Sequence, residues 1–394
     1  MTSHGAPTDP YRLFFPLGIA IGIAGVAIWP VYYFGLSSGY SGRSHAFVQS
    51  TGFVYAFVIG FLLTAIPRFT NTEGPGRPIQ FVLAGMLLTS SAAFEFRNER
   101  IGHIVFLLTQ CLVLYLVAVR FVRRRNPPPA TFPLIGMGLL AGAISAIINM
   151  GISWGLLSPK LDVLGKRSLT EGMILLLVLG VGGFLGPRLL GLRQLPDFPK
   201  IGTLSDETGL SWLERHETAI FVVSGFVLIG TLVAEYAFLL RPAAYVRTIV
   251  ATTIIAAKIR PWQLPAVRST LAWCVWLSFL FLTIGLWVSV VAAAYRVEFL
   301  HIVFIGGFTL LILSVGMRVT LSHGGHSLAA EKRSWPLRIG IIAVIIAMLA
   351  RVGATFAPNS FFEHLAIAAL LWIAALAVWG YYLVRLLQSD QGKP

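Results

Sequence analysis

The chain has 394 residues, 56% hydrophobic and only 12% charged, with a mean hydropathy of +0.79 and a formal net charge of +14. A soluble domain carries about a quarter charged residues, so these values exclude a water-soluble enzyme and point to an integral membrane protein, all-α and polytopic. The apolar runs are continuous rather than alternating, which argues against a transmembrane barrel. The basic residues flank those runs, where they set topology and meet the anionic headgroups of the lipid bilayer, so the charge is no sign of a nucleic-acid partner.

About twelve spans of ~20 residues fit the chain, and we treat 1–394 as a single transmembrane domain. In order, the apolar runs predict helices over 11–34, 45–67, 79–94, 102–122, 133–152, 170–192 and 217–240. The next run, 244–257, is short and weak; the last four are 269–295, 299–321, 337–356 and 361–387. Proline and charge punctuate them, as in Arg123-Arg124-Arg125-Asn126-Pro127-Pro128-Pro129, because proline cannot continue a helix. The longest polar loop is 195–217. The opening MTSHGAPTDPYR lacks a basic n-region, so the first span is expected to be retained. Junctions after even-numbered spans, with both termini, hold about twice the Lys and Arg of the other side; both termini are therefore predicted to be cytoplasmic. That count requires 244–257 to be a true crossing.

Pairs of glycines at helical spacing, Gly18/Gly22, Gly138/Gly142 and Gly182/Gly186, predict close helix approach. No repeat appears at solenoid periods. His45 and His301 each open a glycine-containing span, which suggests only a loose likeness between two halves. Cys111 and Cys274 fall inside apolar spans and form no paired motif.

Two stretches stand out: RSHAFVQSTGFVYAFVIGFLLTAIPR from Arg43, and RVEFLHIVFIGGFTLLILSVGMRVTLSHGGH from Arg296. Of the eight histidines, His45, His103, His301 and His364 open spans at the predicted outer face, while His216, His323 and His326 lie at the predicted cytoplasmic face. Imidazole is the usual nitrogen ligand for iron and copper, and a haem in a bundle takes its axial histidines from facing helices. Two ligands of one iron must lie at similar depth. His301 and His323 are separated by about 33 Å of helix, so they cannot share a metal. The first candidate site is His45 with His301; His323, with His216, is a weaker second, and His103 and His364 are further candidates. Arg43, Arg296 and Arg100 each precede one of these histidines and offer guanidinium forks to haem propionates, or anchor the interface. Gln49 and Tyr55 are placed to support His45. Glu298 and Arg296 suit the start of span ten, and Arg318 its C-terminal end. Gln110, Asn149 and Glu235 are embedded polar groups. There is no P-loop, His-Glu-x-x-His or Gly-x-Ser-x-Gly motif, and so no sign of hydrolytic chemistry.

HAFVQSTGFVYAFVIGFLLTAIPRF resembles the signature of the NnrS family, in which a His-rich start leads to Gly-Phe-Leu-Leu-Thr-Ala and a proline. LHIVFIGGFTLLILSVGMRVTLSHGG resembles that family's second signature. The resemblance implies a bacterial inner-membrane protein of about twelve spans that holds b-type haem, with copper as a second metal, and serves the response to nitric oxide or another small diatomic ligand. By position, His45 matches the first histidine of the family's His-Ala-His-Glu-Met motif. His301, Arg318 and His323 match the second signature. Phe47 and Val48 stand at the motif's second His and its Glu, Phe69 where Trp is usual and His326 where Arg is common; a copper site loses a ligand by the first of these changes. Two other readings fit the residues: a secondary transporter with a midplane site near Asn149 or Glu235, and a membrane assembly factor that holds metal in transit.

Overall fold

The computed structural model describes residues 9–192 and 215–389. His4 and the polar loop 195–217, except for its last three residues, lie outside the described residues. Among the described residues there are twelve long helices and no strand. They are α1 (Tyr11–Tyr33), α2 (Gly42–Thr70), α3 (Arg77–Glu95), α4 (Glu99–Val122), α5 (Pro133–Ser153), α6 (Pro159–Leu190), α7 (Glu217–Tyr236), α8 (Pro242–Lys258), α9 (Thr270–Val291), α10 (Ala293–His323), α11 (Trp335–Gly353) and α12 (Phe361–Ser389). All but α8 have the length and hydropathy of a membrane span. In hydrocarbon every backbone polar group must be satisfied within the protein, and helices do this segment by segment.

The short α8 does cross. Near its start Arg247 pairs with Glu235 at the end of α7, and at its end Lys258 pairs with Glu217 at the start of α7. The two ends of the described chain therefore share one face, where Arg12 Nη1 donates to the carbonyl of Leu387. We call this the terminal face and the opposite one the distal face.

The helices form three consecutive groups of four, α1–α4, α5–α8 and α9–α12, in place of the two loosely similar halves that the sequence suggested. The second helix of each group has the same irregular build. Six residues of α-helix (Gly42–Phe47, Asp162–Arg167, Arg296–His301) open into a π-helical stretch (Val48–Val54, Ser168–Ile174, Ile302–Thr309) before α-helix resumes. Each π-helical stretch packs on the first helix of its own group, and the ring closes where α12 packs along α1. The second helices are among the most buried: 78% of the apolar window of α6 is buried, 72% of α2 and 61% of α10, the last matched by α5, against 28% in α7 and α11. The first two groups share marks at a spacing of 120 residues: Gly18/Gly138, Gly22/Gly142, Gly35/Gly155 and Pro67-Arg68/Pro187-Arg188. Gly35 and Gly155 both end a first helix at φ 71°, a conformation that favours glycine.

Helix α6 begins eleven residues before the predicted 170. Its first turns hold Lys160, Asp162, Lys166 and Arg167, which read as loop. Asp162 is held by Arg43 and Lys166, and Arg167 meets Glu171 at 3.3 Å, so the charges are paired and the helix extends through them. The expected close approaches occur. A Cβ on Gly22 would lie 2.6 Å from Phe53, and one on Gly182 2.5 Å from Phe279; small residues let helices pack where no hydrophobic drive acts between them.

Candidate metal centre

His45 sits in the first turns of α2, which Ser41 begins by accepting the Ser44 amide at 3.1 Å. Its Nδ1 lies 2.8 Å from the carbonyl oxygen of Gly25 on α1. A carbonyl can only accept, so Nδ1 carries the proton and Nε2 keeps its lone pair. The approach is possible because residue 25 has no side chain: a Cβ there would fall 2.5 Å from Val48 and 2.9 Å from Gln49. Gln49 uses the same gap, donating from Nε2 to the carbonyl of Gly22 at 2.9 Å. Trp29 meets the imidazole edge-on at 5.5 Å.

His301 ends the short α-helical start of α10. Its Nδ1 is 2.8 Å from the carbonyl of Val297, which fixes the same tautomer and again leaves Nε2 as the acceptor. Orientation of one ring nitrogen by a carbonyl is the usual outer support of a metal-ligating histidine. The two imidazoles lie near enough that a charge on one would be felt at the other, and both are near Arg351 on α11. Protein encloses both rings, yet each retains accessible surface, as side chains do when they border an internal gap. Nη1 of Arg351 and Oγ1 of Thr355 are buried without a partner. Two imidazoles from separate crossings, each with a free Nε2, near an arginine with one unpartnered nitrogen, are of the chemical type that a haem and its propionates need.

The other candidates lie elsewhere. His103 is 1% exposed and boxed by Phe47 and Phe94 at 4.7 and 4.9 Å, with Nε2 unpartnered. Phe47 and His45 are two positions apart, so they leave α2 on nearly opposite sides; His103 therefore belongs to the space between α2, α3 and α4. His364 turns back within the first turn of α12, its Nδ1 2.9 Å from the Ser360 carbonyl. His323 is at the terminal face. Its Nε2 accepts from Nη1 of Arg68 at 2.8 Å, while Nη2 of the same arginine holds Asp9. Among the described residues no group of three His, Cys, Asp or Glu side chains could hold a metal ion.

Arg43 is engaged by Asp162 and by Glu99 at 2.7 Å. Arg296 is engaged by Glu235 and by Glu171 at 3.0 Å. Arg247 meets the same two carboxylates, so a buried network ties α6, α7 and α8 to the start of α10, five residues before His301. Glu235 thus lies toward the distal face rather than at the midplane. Asn149 donates to the Ser145 carbonyl of its own helix at 2.8 Å. Tyr55 faces Phe106 of α4, away from His45; the π-helical stretch between them changes the phase that uniform 3.6-residue turns would give. Sequence reasoning missed Arg351 and Glu171. Both are ionisable residues inside apolar spans, a signal that marks interior positions.

The arrangement defines a polytopic membrane helix bundle with two histidines, each with a free Nε2, near one face. The chain belongs to the NnrS protein family, whose model matches residues 8–390. No curated protein matches the chain.

Proposed function

We propose that His45 and His301 together hold a b-type haem near the distal face, in an inner-membrane protein of the bacterial nitric oxide response. The observation that carries this reading is the matched tautomer of two neighbouring imidazoles: each gives its Nδ1 proton to a backbone carbonyl and keeps Nε2 for a metal. Gly25 and Val297 orient the rings, Gln49 pins α2 to α1, and Arg351 supplies the charge that a propionate would meet. A haem held here would supply one-electron chemistry and affinity for nitric oxide or another diatomic ligand. Copper is the second candidate.

A reduced-minus-oxidised optical spectrum of the purified protein tests the assignment. His45→Ala and His301→Ala are expected to lose the haem bands, while His323→Ala and His364→Ala keep them. Unchanged spectra in both of the first pair would remove the site. The transporter reading has less support, because Glu235 is held by two arginines toward the distal face and Asn149 donates to its own helix, although its Oδ1 is left without a partner.

A further inference from the structure

The terminal face carries a groove of about 820 Å³ between the start of α9 and the start of α11. Arg268, Lys332 and Arg338 line its polar end, and Trp273, Leu277 and Ile342 its apolar wall; among the described residues no acidic side chain lines it. Among the described residues none of the three cations has an ion-pair partner, and all three are exposed. Their placement is built. Thr270 accepts from Nε of Arg338 at 3.3 Å and gives its own hydroxyl and amide protons to the Lys332 carbonyl, both at 3.2 Å. This buried threonine joins the two helix starts and aims one cation beside another. The apolar wall opens outward: Trp273 is 40% and Ile342 60% exposed, on spans that face lipid.

We propose that this groove binds one anionic glycerophospholipid, with its phosphate among Arg268, Lys332 and Arg338 and an acyl chain along Leu277 and Ile342. Three cations without an acid select a negative headgroup, and basic clefts between spans suit such headgroups. A free phosphate would use the cations and leave the apolar wall uncovered. A zwitterionic lipid carries its own cation to a site that already has three.

The full chain, purified in a neutral detergent, is tested by thermal unfolding with added phosphatidylglycerol, phosphatidylcholine or inorganic phosphate. Phosphatidylglycerol is expected to raise the midpoint, and the other two to leave it nearly unchanged. In K332Q/R338Q the response should need roughly tenfold more lipid, or vanish, while the midpoint without lipid stays within a few degrees. Native mass spectrometry of R268Q supplies a second measure if the double variant fails to fold, with fewer retained phosphatidylglycerol adducts expected. An equal response to phosphatidylcholine, a response to phosphate alone, or variants that respond like the parent protein would each overturn the proposal.

Discussion

A single absent side chain sets how near α1 comes to His45. The carbonyls of Gly22 and Gly25 receive Gln49 and His45 at 2.9 and 2.8 Å, and a branched residue at 25 would press on Val48 and Gln49. Gly25→Val is therefore expected to displace the start of α2 and lower the haem-to-protein ratio several-fold in a pyridine haemochrome assay. Arg351 acts through charge rather than through contact with α1. Arg351→Gln should retain most haem but lower its midpoint potential, because a cation beside the site favours the reduced, less positive iron; a redox titration reads the shift. The sequence placed four histidines at the heads of apolar spans, and only the structure separates His45 and His301 from His103, which is boxed by two phenylalanines. Arg351 was not legible in the sequence, because it sits near the end of a span, where arginine also reads as an interfacial anchor. The position of Tyr55 was lost for a different reason: counting in turns of 3.6 residues fails across Val48–Val54.

The three π-helical stretches share a place in their helices, and each contains glycine: Gly52, Gly172, and Gly306 with Gly307. Nothing in a linear hydropathy reading marks such a widening, which was seen only in the structure. In the middle group the stretch carries Glu171, which takes Arg247 and Arg296 and is 5% exposed. Removing one member of a buried ion network leaves the others desolvated and unpaired, at a cost of about 3–5 kcal/mol. Glu171→Gln should lower thermal stability by that order, and Glu171→Ala at least as much. Labelling of the buried Cys274 thiol during heating, in a background with the exposed Cys111 replaced by Ser, follows the unfolding. The network also bears on the site, since Arg296 lies on the same short helix as His301. A variant that folds at low temperature is expected to show an altered haem spectrum.

At the scale of the whole molecule, twelve crossings and the shared side of the two ends follow from hydropathy and charge alone. The weak eighth span crosses because paired charges at both its ends fix it to α7. Fusions test the sidedness. A fluorescent protein at the C-terminus should fluoresce and alkaline phosphatase there should stay inactive, with the opposite result for fusions in the loop between α1 and α2. The threefold grouping was partly legible, at a spacing of 120 residues between the first two groups. A search at solenoid periods cannot find it. The third group lacks the glycine and Pro-Arg marks, so only its π-helical stretch and its packing reveal it.

The closing of the ring has a consequence for how the protein is made. Trp372 of α12 donates to Thr309 at 3.1 Å and meets Phe53 edge-on, while Trp379 fills the space beside Gly316. The surface of α1 around Ile19 waits for Gly380, a residue that leaves the ribosome last among these. At ordinary rates of synthesis that delay is roughly 20–70 s, during which the first segment to enter the bilayer has no permanent neighbour on one flank. Chains cut short before α12 should accordingly be bound by membrane quality-control proteases, and co-expression of α12 as a separate peptide should rescue them.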